Sequence, residues 1–222
     1  MSTYRISINQ FAEFSASSLA SKKRILVQQI SPNQFLIPWY QKAKGAIKKY
    51  FLNVKDKSPL EKVIDELKVR VPKNSRQIID KRVSIEAIEI MKGIRIPKLL
   101  SDLQIEAVNQ TEKAIILNGV NIKIAPDVIL RGKYKGKTVY GAVKIHICKG
   151  SPFDFQQSKI VSGLLFQFLK KHVAKRGEIV MPELCLSLDV FSERIVPATE
   201  VSRLDMAVIN NVCEEVKNLW PK

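Results

Sequence analysis

Cysteine and histidine are scarce in this chain, and their scarcity excludes several chemistries. Three cysteines (Cys148, Cys185, Cys213) among 222 residues rule out a disulfide scaffold, and none stands at CxxC spacing. Two histidines, His146 and His172, are too few for a histidine-based zinc centre. No apolar run approaches the ~18 residues that read as a membrane span. The opening MSTYRISINQF lacks the basic-then-apolar layout of a signal peptide. A reducing, cytoplasmic setting and no membrane partner are the expectation. Phosphate-loop and dinucleotide glycine fingerprints are missing, which lowers the case for an NTPase or a Rossmann enzyme. No segment repeats at a fixed period, and none is low in complexity. Acidic residues are also few: 21 Asp+Glu face 37 Lys+Arg, a formal net charge of +16.

That imbalance is the first positive signal. An isoelectric point near 9.8 is the electrostatic footprint of a nucleic-acid binder. Most of the excess lies in residues 1–100. Residues 22–57 hold nine basic side chains, among them Lys22, Lys23, Arg24, Lys42, Lys44, Lys48 and Lys49, against the single acid Asp56. Trp39, Tyr40, Tyr50 and Phe51 lie in the same stretch. Cations interleaved with aromatics suit phosphate contacts and base stacking. The plainer alternative makes the aromatics core residues of amphipathic helices and the lysines a solvated face. With 45% hydrophobic residues, the chain has the material for a sizeable core.

The periodicity predicts helices in the first part. Residues 7–31 read as one or two, with Ser7 as a cap and Phe11, Phe14 and Leu19 as an apolar stripe. Pro32 and Pro38 bracket a break, and 39–52 follow as an amphipathic helix. Ser58, Pro59 and Glu61 form a start signal of N-cap, N1 proline and capping box for 58–70. A further helix spans 75–92, with Gly93 as the residue after its end. From residue 113 the texture turns β-branched and alternating. Asn118-Gly119 is a hairpin turn signal, and KYKGK is a loop between two strands. A helix over 154–173, a strand over 183–191 and a helix over 200–219 close the chain. The order makes a mixed α/β layout with a helical beginning.

Folding 120–147 about the KYKGK loop sets Asp127 opposite Lys144, and cross-strand partners share a face of a sheet. Two charges on strands of Val, Ile and Leu are costly unless they pair or hold an ion. Either use fits the pattern: a simple cross-strand ion pair, or a site. His146 and Cys148 share the face of Lys144 at period two. The bland reading makes His146 structural and Cys148 a small core residue.

At these residues the chain resembles the PD-(D/E)XK nuclease superfamily, in which an acid after proline on one strand precedes acid-X-Lys on the next. Pro126-Asp127 matches the first part, and Ala142-Val143-Lys144 the second in placement and lysine. SINQFAEF is similar to the opening of the helical region in RecB-like members. The resemblance implies a restriction-endonuclease-like fold: an α/β core over 83–222 with a mixed central sheet flanked by helices, after a basic helical region over 1–82. It implies Mg²⁺-dependent cleavage of nucleic acid, DNA rather than RNA, in defence or DNA processing. Asp127 would be the main metal ligand and Glu89 (or Glu86) the second acid. Lys144 would activate water, and Gln157 (or Gln156) would position the water or the metal. The departure is Ala142, where the family has an acid. Some members move that acid to the following helix, and this chain has Gln there, with Asp154 one turn earlier. The alternative is therefore a relative that no longer cuts and instead binds DNA or RNA, or joins a larger complex. A protein partner or a homodimer is compatible with either.

Overall fold

Local signals in the chain set most element boundaries. The computed structural model describes residues 4–32 and 39–221, so the expected break at Pro38 lies outside the described residues. Ser7 ends a short strand β1 (Arg5–Ser7), and its hydroxyl accepts the Gln10 N–H to cap α1 (Ile8–Ala16). Ser18 caps α2 (Leu19–Ile30) in the same way. Helix α3 (Gln41–Tyr50) starts from Tyr40, whose φ of 60° turns the chain sharply into the helix. Helix α4 (Ser58–Val69) departs from expectation. The Asp56 carboxylate accepts the Ser58 N–H at 2.8 Å, so the chain turns one residue earlier and Lys57, not Ser58, is the N-cap. Asn74 caps α5 (Ser75–Gly93), and Gly93 closes that helix from inside rather than following it. A short α6 (Lys98–Asp102) comes next.

The β-rich part begins with β2 (Glu106–Ala107) and a hairpin of β3 (Ala114–Leu117) and β4 (Val120–Lys123). Asn118 and Gly119 make its turn at φ 44° and 80°, the left-handed pair that the sequence signal predicts. Strands β5 (Val128–Tyr134) and β6 (Lys137–His146) form a second hairpin. Its turn is only Lys135-Gly136, at φ 49° and 77°, tighter than the expected five-residue loop. Helix α7 (Phe155–His172), strands β7 (Ile179–Asp189) and β8 (Arg194–Pro197), a 3₁₀ turn (Ala198–Glu200) and helix α8 (Arg203–Asn218) complete the order. No helix of the described residues is long and apolar enough to cross a membrane.

The fold is mixed α/β. One sheet runs β1-β4-β3, with β1 parallel to β4. The larger sheet runs β2-β5-β6-β7-β8, antiparallel except where α7 carries the chain from β6 to the parallel β7. Val128 pairs with Val143, which puts Asp127 opposite Lys144 in the register read from the sequence. Between Tyr140 and Ala142 the β6–β7 register shifts, and Gly141 lies against the backbone of Leu184.

Successive β6 side chains point to opposite faces, and each face carries its own core. One buries Phe11 and Phe14 of α1, Phe168 of α7 and Cys213 of α8 against Ile129 and Ala142. The other buries Ile47 of α3, Leu60 of α4 and Met91 of α5 against Val143, Ile145 and Leu186. The boundary expected at residues 82 and 83 separates neither core. The helices before it cover both faces of the sheet that follows it.

Candidate nucleic-acid interface

The ladder between β5 and β6 ends at a charged corner. Asp127 N–H still donates to Val143 O at 2.9 Å. One step on, the Asp127 carboxylate replaces a backbone acceptor: Ile145 N–H donates to Oδ2 at 2.8 Å. Ala125 takes φ 38°, and its carbonyl accepts Lys144 Nζ at 2.7 Å. Lys144 Nζ stands 4.0 Å from Asp127 Oδ2, while Lys44 of α3 reaches Oδ1 at 2.9 Å. Asp127 and Lys144 are both nearly buried. Burial pulls the Lys144 ammonium down to about 8; Asp127 opposes this, and Lys44, Lys123 and Lys48 add to it. Two lysines therefore share one carboxylate whose oxygens are already engaged by Lys44 and a backbone N–H, and Lys48 and Lys123 add positive charge around Lys144.

Two residues beyond Lys144 on the same face, His146 forms a second unit. Its Nδ1 lies 2.6 Å from Oδ2 of Asp189, a carboxylate at the end of β7 with no exposure. That carboxylate also accepts the N–H groups of Phe153 (2.7 Å) and Ser192 (2.8 Å). Burial pushes the Asp189 carboxyl up, but the bonds from His146, Phe153 and Ser192 outweigh it and leave it below the usual range. An ionised Asp189 makes Nδ1 the donor, which fixes the tautomer. Phe153 stacks on the imidazole at 3.7 Å with planes 2° apart. The ring is held from two sides, and no described residue bonds its Nε2.

These groups open onto two adjoining clefts. One, of about 500 Å³, is lined by Asn9, Tyr40, Lys44, Lys48, Asp127 and His146, with Trp39 at its edge. Asn9 presents a buried Oδ1 with no partner. The other, of about 750 Å³, carries Lys48, Lys49 and Lys113, with Glu112 and Asp127 as its acids. The two share Gly45, Lys48 and Asp127, so they run together past the hairpin mouth.

The remaining site expectations fall elsewhere. Glu89 is exposed and pairs with Lys92 at 3.3 Å on its own helix; Glu86 pairs with Lys149 at 2.5 Å. Neither glutamate lines the cleft of Asp127. Gln157 is spent on structure. It forms a capping box with Asp154, and its amide donates to Ala12 O at 3.1 Å, tying α7 to α1. Gln156 donates to Asp205 at 2.8 Å. Ala142 is buried in the core, and Cys148 is half-buried and outside both cores. Of the expected phosphate-binding cations, Lys44 and Lys48 stand in the first cleft and Lys49 in the second. Lys22 pairs with Glu215 at 2.7 Å and Lys42 with Glu66 at 3.1 Å, while Lys23 and Arg24 are exposed on α2. Tyr50 and Phe51 are core residues, as the plainer reading had them, whereas Trp39 and Tyr40 line the cleft.

A magnesium ion wants several hard oxygens in octahedral array. The corner supplies one carboxylate with both oxygens engaged, and Ala142 supplies none. Among the described residues no group of three or more His, Cys, Asp or Glu stands together to hold a metal. The donor set here does not fit that ion. No protein-family model matches the chain, and no curated protein matches it significantly.

Sequence reasoning missed Asp189, Asn9 and Lys123. Asp189 had a visible signal: an acid ending the apolar alternation of ELCLSLDVF, as costly there as Asp127 is on its strand.

Proposed function

We propose that this protein binds the sugar-phosphate backbone of a nucleic acid along the joined clefts, with a PD-(D/E)XK-like layout whose metal-binding acids are depleted. The observation that carries the reading is the pairing of Lys44 and Lys144 with Asp127 at a cleft that Lys48 also lines, with Lys123 near enough to add its charge at Lys144. A phosphate entering there relieves mutual repulsion among the lysines, so binding is driven by both attraction and relief. Trp39, with Arg76 over its ring, and Tyr40 line the cleft as aromatic surface for unstacked bases. The order supports the layout too: Pro126-Asp127, the hairpin, Lys144, then α7 and the parallel β7.

Fluorescence anisotropy with single- and double-stranded DNA and RNA, in Mg²⁺ or EDTA, tests this. Binding should weaken with salt along a straight log–log line. Lys48→Gln should cost about tenfold in affinity and flatten that slope by about one. Lys170→Gln, at the opposite end of α7, should change neither. Absence of binding, or equal effects at Lys48 and Lys170, would move the reading to an acidic protein partner. Cutting that needs Mg²⁺ and is lost in Asp127→Ala would mean that a carboxylate from outside this cleft completes a nuclease.

A further inference from the structure

We propose that His146, oriented by Asp189, is a general base for metal-independent cleavage of RNA in the cleft that also holds Lys44 and Lys48. The inference rests on the nucleic-acid reading above and names the substrate within it. The dyad has the parts a base needs. Asp189 is buried and ionised, and it accepts the hydrogen bond of Nδ1–H, so in that tautomer the lone pair of the imidazole is at Nε2. Stacking on Phe153 fixes the ring plane. Nε2 carries no bond from any described residue, and the ring lines the 500 Å³ cleft beside Lys44, Lys48 and Asp127. A histidine kept only to tie two strands has no need of a free nitrogen at the edge of a basic cleft.

The substrate class follows from the groups present. A base beside lysines, with the one carboxylate of the corner engaged through both oxygens, acts best on a phosphodiester that carries its own nucleophile. RNA carries one, the 2′-hydroxyl beside each phosphate, and DNA does not. His146 Nε2 takes the 2′-hydroxyl proton as O2′ attacks phosphorus. The P–O5′ bond breaks, and O5′ takes a proton from solvent in the open cleft. The products are a 2′,3′-cyclic phosphate and a 5′-hydroxyl, with no oxidant or co-reactant. Lys144 and Lys44 sit at the same corner and stabilise the extra negative charge on the phosphoryl oxygens as it develops. Asp189 is a positioning residue, and its value lies in the tautomer it sets.

The experiment incubates the full chain with 5′-labelled single-stranded RNA, the same sequence in 2′-O-methyl form and the same sequence as DNA, all in EDTA, with anisotropy recorded in parallel. The expected result is cleavage of RNA alone, leaving 2′,3′-cyclic phosphate ends. His146→Gln keeps a side-chain N–H for Asp189 but offers no base. It should lose about 10²-fold or more in rate while retaining RNA affinity and melting temperature. Asp189→Asn disturbs a buried carboxylate that ties three groups, so Lys144→Gln serves as the second variant, slowing cleavage beyond its loss in binding. RNA that binds yet survives intact overturns the proposal, and so does cleavage equal in wild type and His146→Gln. Failure to bind any nucleic acid overturns the nucleic-acid reading itself, and this inference with it.

Discussion

Lys144 is the side chain at the charged corner whose charge the fold alters most. In the unfolded chain its ammonium titrates near 10.5, and in the fold burial brings it to about 8. Below pH 8 both states hold the proton, and the folded state bears the desolvation cost. Between pH 8 and 10.5 the unfolded chain binds more protons, so stability rises with pH over that window. The displacement corresponds to about 3 kcal/mol at most. Urea unfolding at pH 8 and 10 should therefore show wild type gaining stability relative to Lys144→Met; an equal pH response in the two proteins would refute the buried, depressed lysine. A phosphate in the cleft acts the other way. It holds the proton on Lys144, so nucleic-acid affinity should fall as pH rises through 8, and Lys144→Met should flatten that fall. At this scale the sequence was informative where parity decides. Asp127 and Lys144 share a face because their numbers sum about the hairpin centre. It was uninformative where a side chain has a choice of jobs. Gln157 has the same identity whether it positions water or caps α7, and only the Asp154 geometry shows which.

At the scale of elements, the joint between β6 and β7 depends on one absent side chain. A Cβ on Gly141 would meet Leu184 Cβ and stand 2.6 Å from Leu184 O, and backbone does not give way as a flexible side chain does. The register shift between Tyr140 and Ala142 occurs at this approach. Gly141→Ala should cost about 2 kcal/mol or more by overpacking. Gly45→Ala, with nothing within 4 Å of the new methyl, should instead stabilise α3 by about 0.8–1 kcal/mol. Chemical denaturation of the two variants checks the contrast, and a neutral Gly141→Ala would mean that the strands can separate without cost. Helix starts were legible where a cap stands alone, as at Ser7. The start of α4 was misread because Asp56 competes with Ser58 and wins the N–H. Strands β1 and β8, three and four residues long, are too short for alternation to show, and their pairing partners define them.

Across the whole molecule, the expected division at residues 82 and 83 runs through both cores. The basic first part supplies Lys44, Lys48 and Lys49 of α3 to the clefts and spreads its other cations over α2 and the surface. Its apolar residues belong to the same two cores as the sheet. Removing residues 1–82 strips Phe11, Phe14, Ile25 and Leu26 from one face of the larger sheet. It strips Ile47, Phe51, Leu60, Ile64 and Leu67 from the other. Each is worth about 1.5–3 kcal/mol of burial, and together they match or exceed the whole stability of about 5–15 kcal/mol expected of such a chain. A fragment of residues 83–222 should therefore lose its near-ultraviolet circular dichroism and its cooperative melt while keeping some helical signal. Co-expression with residues 1–82 should restore both, because the missing helices can return to faces that have no other cover. A fragment that melts as sharply as the full chain would show that the sheet carries a sufficient core alone. The cleft would then be a joint between two folding units, and Lys44 would meet Asp127 only when they dock.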